Sequence, residues 1–499
     1  MSVAPTALDA LMLARWQFGI TTVYHFILVP LTIGLSLFVA IMQTMWLRTG
    51  KEVWLKATRL FGKLFLINFA LGVSTGIVQE FQFGMNWSEY SRYVGDIFGA
   101  PLAVEALLSF FLESTFIGLW IFGWGRLSKK AHTTMIWLAA LGVNTSALWI
   151  IGANSFMQHP VGAVFNPATG RAELDGTSGF LAVVFNPTLW YAWLHVITTS
   201  WLLSAGLIAG VAIWWMVRTA RAGAAGSTAA ATEAREVWHP IARFGLLLML
   251  ISGVLTGITG HVEGVHMISE QPAKMAAAEA MCNTQSRAPF TIAAFGSECG
   301  ENGEGIKHVG QVPLLASILS GNTPNFEVQG MNDLNQAHAQ KYGVDKITPP
   351  VMPTFWSFRA MIAFGLISML FAIWGLIATG KGQISTSTGL AKFGLTMIPF
   401  PLLGISFGWI FTEIGRQPFL VYPNNMADPV GNVWMLTAHG VSGAVPASQV
   451  LITMVLFTVI YAVMGIIWFL LMVRYAKEGM HTPHQVRGED HKQELSFAY

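Results

Sequence analysis

The sequence predicts an all-α fold: a polytopic membrane bundle of nine transmembrane helices, N-terminus outside and C-terminus cytoplasmic. Three observations carry this prediction. The 499 residues are 53% hydrophobic and only 11% charged, with mean hydropathy +0.53, whereas a soluble domain carries about 25% charged residues. Apolar runs long enough to cross a bilayer, which takes about 20 residues, recur nine times. Lys and Arg collect in alternate connections between those runs, which orients them. The net charge of +2 gives no nucleic-acid signature. Nineteen Trp and 33 Phe suit interfacial belts and packing around a large flat ligand.

The spans are expected near 16–47, 64–82, 101–124, 134–156, 188–217, 244–262, 355–379, 393–413 and 448–473. They are numbered 1 to 9 in chain order. Spans 1 and 5 are long enough to tilt or project. The short connections after spans 1, 3, 5 and 7, with the tail from Arg474, hold 18 of the 28 Lys and Arg residues and are read as cytoplasmic. The chain thus divides into spans 1–6 (1–262), a long outer connection (263–354), spans 7–9 (355–473) and a polar cytoplasmic tail (474–499). Residues 222–232, rich in Ala, Gly and Ser, read as a flexible linker. The first residues, MSVAPTALDALMLARW, lack a basic n-region and a small-residue cleavage site, so no removable signal peptide is expected. No strong internal repeat is visible, unlike an inverted-repeat transporter.

Span 3 carries two carboxylates, Glu105 and Glu113. Eight residues of helix advance about 12 Å and turn about 80°, so both can face one side of a bundle at two depths. An acid at mid-membrane costs about 3 kcal/mol on insertion scales. Two on one side point to a proton path or a ligand set; two protonated acids bonded to neighbouring helices are the plainer reading. The other unusual intramembrane residues gather in the outer half: His25 in span 1, His195 in span 5, Arg359 and Met361 in span 7, and Glu413 at the end of span 8, before Arg416. His with Met is the ligand pair of low-spin electron-transfer haems, and a guanidinium such as Arg359 can hold a propionate. A lone membrane His is more often a packing residue and a lone Met core. No CxxCH is present, which excludes covalent c-type haem. Both cysteines, Cys282 and Cys299, lie in the outer connection, where an oxidising compartment lets such a pair bridge.

The chain resembles subunit I of the cytochrome bd quinol oxidases over nearly its whole length. The likeness is carried by QFGITTVYHFILVPLT around His25, by residues 62–115, by LGVNTSALWI from Leu141, by FRAM from Phe358 and by GRQP from Gly415. The resemblance implies nine helices and three haems: two haem b and one haem d, or a third haem b. It makes His195 and Met361 the axial pair of the low-spin haem b, and Glu413 the ligand of the high-spin haem b. It makes His25 the ligand of the oxygen-reducing haem, with Glu105 on that haem's other face and Glu113 further along a proton route. Arg15, Arg359 and Arg416 become propionate partners, and Trp409 an aromatic between haems. KMAAAE (274–279) resembles the quinol-site motif of the family's Q-loop, with Lys274 and Glu279 as working residues; apart from the resemblance they read as solvated charges.

This chain departs from the family in a short Q-loop, in Phe419 where many members have Trp, in a loose match between His261 and Glu270, and in the Cys pair. The implied activity is oxidation of menaquinol or ubiquinol at the outer face and reduction of dioxygen to water with cytoplasmic protons. Asn144, Ser146, Ser109 and Ser114 are candidate relay members, although a Ser on a helix commonly bonds its own helix carbonyl. The implied partners are a membrane subunit II and small accessory subunits, in a bacterial cytoplasmic membrane. A haem-free proton-coupled transporter is the rival from another class; a bd-type oxidase with haem b in place of haem d, and a subunit whose haems are lost, are further alternatives.

Overall fold

The computed structural model describes residues 9–300, 303–430 and 432–480. Among these residues, nine helices are long and apolar enough to cross a membrane. Span 1 is Ala10–Thr49, span 2 Glu52–Gly84, span 3 Ser88–Phe122, span 4 Lys129–Gln158 and span 7 Val351–Ala378. Span 8 is Thr388–Ile414 and span 9 Ala447–Glu478. Span 5 is carried by Pro187–Ala224 and span 6 by His239–Glu270. Most run past their apolar runs, because the helix continues into polar residues that hydropathy alone excludes. Span 6 extends to Glu270, so the first residues of the expected outer connection are helical. The tail expected after Lys477 lies, from residue 481, outside the described residues.

The helix ends have local causes. Asp9 accepts from the Leu11 N–H at the start of span 1. Gly50, at φ +66°, returns its N–H to the Trp46 carbonyl and ends that helix. Ser128 and Ser387 cap spans 4 and 8, and Asn186 followed by Pro187 opens span 5.

Span 5 is the centre of the bundle, packed against spans 1, 4, 6 and 8. Its most apolar stretch is 83% buried, against 11% for span 9 at the edge. Lipid tails are as apolar as Leu, so close packing must hold such helices together. Small residues allow it: a Cβ on Gly245 of span 6 would sit 2.7 Å from the Ala209 nitrogen of span 5. Span 9 instead exposes a continuous apolar face, including Ile452, Leu456, Val459, Val463 and Phe469.

One end of the bundle is roofed by residues 159–186, 271–300, 303–350, 415–430 and 432–446, and is called the loop end below. The roof holds short helices and two-stranded antiparallel ribbons, such as Phe290–Phe295 with Lys307–Val312. A second apolar cluster, including Ala277, Met331, Tyr342, Phe355, Phe419 and Tyr422, joins the roof to span 7. Cys282 and Cys299 form a disulfide with a sequence separation of 17. Closing a loop of that size contributes about 3 kcal/mol in the chain-entropy model. Reduction is expected to slow migration on a non-reducing gel and to lower the roof's stability; unchanged migration contradicts the bridge.

Candidate functional site

The two buried-helix histidines are held in the same way. Span 2 offers Thr75, whose hydroxyl lies 3.0 Å from its own helix carbonyls at Leu71 and Gly72 and 2.8 Å from His25 Nδ1. A hydroxyl that donates to its helix keeps lone pairs to accept the imidazole N–H. Span 6 repeats the device: Thr259 lies 2.9 Å from the Leu255 carbonyl and 3.2 Å from His195 Nδ1. With the ring proton on Nδ1, toward the threonine, Nε2 is the lone pair, the form a metal needs. A glycine follows each threonine. A Cβ on Gly76 would come within 3.2 Å of His25 Cε1, and one on Gly260 within 2.8 Å of His195 Cε1. These Thr-Gly pairs lie on helices that carry no expected ligand, and nothing in the sequence around them marks the role.

Met361 of span 7 turns its sulfur toward span 8, where a Cβ on Gly408 would be 3.0 Å from Sδ. The next residue, Trp409, stacks on Phe26 of span 1 with ring centroids 4.6 Å apart. The His25 region and the end of span 8 are thus in contact. One turn on, Glu413 pairs with Arg416 and accepts from Asn154 of span 4 at 3.0 Å. Arg416 is 1% exposed, and its Nε and Nη1 have no hydrogen-bond partner among the described residues. A buried guanidinium with orphaned donors is costly unless an anion meets it. Two imidazoles with free Nε2, a thioether, a carboxylate and unsatisfied Arg donors fit an axially held haem with propionates.

The roof sets the surroundings of Lys274, Glu279 and Arg359. Lys274 and Glu279 are not solvated: they are 2% and 6% exposed, on and just after the short helix Pro272–Ala278. Lys274 donates to Gln158 Oε1 at 2.8 Å, and Gln271 donates to the same oxygen at the same distance. Burial pushes the Lys274 ammonium down to about 7; Arg416 pushes the same way, while Glu413 and Glu263 oppose. The donors of Arg359 meet the roof: Nη2 to Glu279 Oε2 at 2.7 Å, Nε to the Thr291 carbonyl at 2.8 Å, Nη1 to the Ala278 carbonyl at 3.3 Å. The guanidinium also lies over the rings of Phe290 and Phe355. An Arg so engaged is the counter-ion of Glu279. Burial raises the Glu279 carboxyl and the Arg359 charge opposes that shift. Arg15 is exposed near the start of span 1.

Beside this helix the roof and span 6 enclose a cavity of about 700 Å³, lined by Tyr191, His261, His266, Pro272, Met275 and Phe326. Its wall is mixed apolar and polar, as small-molecule sites usually are.

Glu105 and Glu113 are both buried and both face span 4. Ser146 donates to Glu105 at 2.7 Å, and a Cβ on Gly142 would sit 2.7 Å from the Glu113 nitrogen. Glu105 opens a π-helical turn, Glu105–Phe110, inside span 3. Such a turn widens the helix and is frequent at functional sites. Ser109 is buried on that turn with its hydroxyl unpartnered among the described residues. Asn144 bonds its own helix at Ala140. Ser114 is exposed and bonds the Phe111 carbonyl, so it is not brought to the carboxylates.

A sequence profile described as cytochrome bd terminal oxidase subunit I matches residues 13–480. The chain is 40% identical over 474 residues to a Bacillus subtilis protein named cytochrome bd ubiquinol oxidase subunit 1, covering 95% of this chain and 94% of that one. It is 34% identical to the cytochrome bd-II ubiquinol oxidase subunit 1 of Escherichia coli, covering 94% and 97%. Among solved structures it is similar to the bd oxidase from Geobacillus thermodenitrificans, with TM-score 0.79, 25% identity, and 94% and 99% of the two chains covered. Those relatives set aside the transporter reading, and this transmembrane chain belongs to the cytochrome bd terminal oxidase subunit I family, the quinol-oxidising oxidoreductases of respiratory electron transport.

Proposed function

We propose that this chain is the haem-bearing subunit of a terminal oxidase in a bacterial cytoplasmic membrane. Menaquinol or ubiquinol is oxidised at the loop end, which faces outside, and dioxygen is reduced to water with protons drawn from the cytoplasm. The observation that carries this reading is the paired Thr-Gly support, a threonine hydroxyl at Nδ1 and a glycine against the ring, shared by His25 and His195. His195 and Met361 would hold a low-spin haem b, Glu413 a high-spin haem b, and His25 together with Glu105 a haem d or third haem b. The bound haems supply electron transfer and oxygen chemistry, while the protein sets ligand, dielectric and access. Arg416 has the free donors for a propionate; Trp409 lies between the His25 and Glu413 regions. A membrane subunit II and small accessory subunits complete the assembly.

At the loop end, Lys274 and Glu279 bind the quinol head group and take its protons. A buried amine brought to about 7 can accept a proton near neutrality, where an ordinary lysine cannot. Glu279 is fixed by Arg359, two residues before Met361, so the quinol site and the Met361 turn share one ion pair. Glu105 and Glu113 relay protons along span 4, with Ser146 holding Glu105.

The test compares oxygen uptake driven by quinol with uptake driven by an artificial electron donor that bypasses the quinol site. Lys274→Met is expected to remove at least nine-tenths of quinol-driven uptake and leave donor-driven uptake near wild type, in keeping with the roughly 10²–10⁴-fold weight of a positioned proton acceptor. In the native complex the quinol-driven rate should climb as pH rises through about 7. Normal quinol oxidation in Lys274→Met contradicts the assignment.

A further inference from the structure

His159, His266 and Glu270 form a cluster that the quinol and oxygen chemistry does not use. Their ligand atoms all lie within 4.8 Å of one another. Three helix ends bring them together at the loop end: His159 follows span 4, and His266 and Glu270 occupy the last turns of span 6. The third end is the start of span 5, which supplies Thr188.

Thr188 makes the arrangement more than proximity. Its hydroxyl lies 2.7 Å from His266 Nε2 and 3.4 Å from His159 Nδ1. The opposite nitrogens, His159 Nε2 and His266 Nδ1, face the Glu270 carboxylate at 3.3 Å and 4.0 Å. A hydroxyl that orients two imidazoles through their far nitrogens is the usual support of a metal ligand set.

We infer that His159, His266 and Glu270 form a zinc site at the edge of the 700 Å³ cavity, and that bound zinc hinders quinol access. Two imidazoles and one carboxylate are borderline donors that suit Zn²⁺, with water as the fourth ligand. Bonds of about 2.0–2.1 Å at tetrahedral angles need ligand atoms about 3.3 Å apart. The His159–Glu270 pair already meets that spacing, and small side-chain rotations bring in His266. The three side chains are 12–24% exposed, enough for an ion to reach them from solvent. His266 lines the cavity, while Gln158 and Gln271, the chain neighbours of His159 and Glu270, flank Lys274. An ion tying these ends together would stiffen the mouth of the pocket.

The experiment equilibrates the intact purified complex with low-micromolar radioactive Zn²⁺ and counts bound metal. Quinol-driven and donor-driven oxygen uptake are followed in parallel, and zinc K-edge absorption reports the ligands. Wild type should hold one more zinc than His159→Gln or Glu270→Gln, with two nitrogen-ring ligands at the absorption edge. Thr188→Val should weaken that zinc about 10-fold, the lower bound for losing a supporting bond. Zinc should slow the quinol-driven rate in wild type at concentrations at least tenfold below those needed in His159→Gln, and leave the donor-driven rate unaffected. Equal zinc content in wild type and both Gln variants overturns the site. Equal zinc sensitivity of quinol oxidation overturns the effect on access. Metal counting needs no turnover, so it is separable from the oxidase reading.

Discussion

Glu279→Ala is expected to abolish quinol oxidation and to destabilise the roof by about 3–5 kcal/mol, the usual cost of leaving one partner of a buried ion pair alone. Arg359 is 8% exposed, and its one counter-charge among the described residues is the Glu279 carboxylate at 2.7 Å. Removing that carboxylate leaves a guanidinium facing only carbonyls and aromatic rings. Glu279→Gln keeps the shape and one acceptor, so it should lose less stability but still lose the charge that receives a quinol proton. Denaturant unfolding of the purified complex, with quinol- and donor-driven oxygen uptake on the same samples, separates the two effects. Wild-type stability in Glu279→Ala contradicts the ion-pair account, and wild-type quinol oxidation in Glu279→Gln contradicts the proton role.

Glu113→Gln is expected to slow oxygen reduction by about 10²-fold or more with either donor, while quinol affinity stays near wild type. A positioned proton carrier contributes about 10²–10⁴-fold, and an amide cannot carry the proton. Glu113 is 6% exposed and its backbone lies against Gly142, so the isosteric amide should fold. Single-turnover oxygen reduction in the reduced complex is the measurement. Normal turnover removes Glu113 from the relay.

The bundle was legible because its signal is long and local. Nine apolar runs match nine such helices among the described residues, since a lipid-spanning helix must be apolar over about 20 residues. What failed at the edges was the equation of helix with apolarity: His266 and Glu270 lie on span 6 beyond the end that hydropathy marks. The ligand residues stood out as polar groups where polar groups are costly. Their supports did not. Thr75 and Thr259 look like ordinary helix threonines, and only the fold sets them against His25 and His195. Gln158 sits at a helix end, where a polar residue is unremarked, yet it meets Lys274 from 116 residues away. The pairing of Arg359 with Glu279 is not legible because sequence gives the depth of Arg359 in span 7 but not the roof that folds over it. The widened turn at Glu105 has no composition signature, since EALLSF reads as regular helix.

The central claim is that His25, His195, Met361 and Glu413 grip haem iron, and a reduced-minus-oxidised visible spectrum of purified Met361→Leu complex tests it most directly. Leu fills nearly the same volume without the thioether, so the bundle should survive. The predicted result is a complex that purifies intact with the low-spin haem band lost and the remaining haem bands in place. A spectrum identical to wild type would contradict the assignment of the ligand and the site built around it.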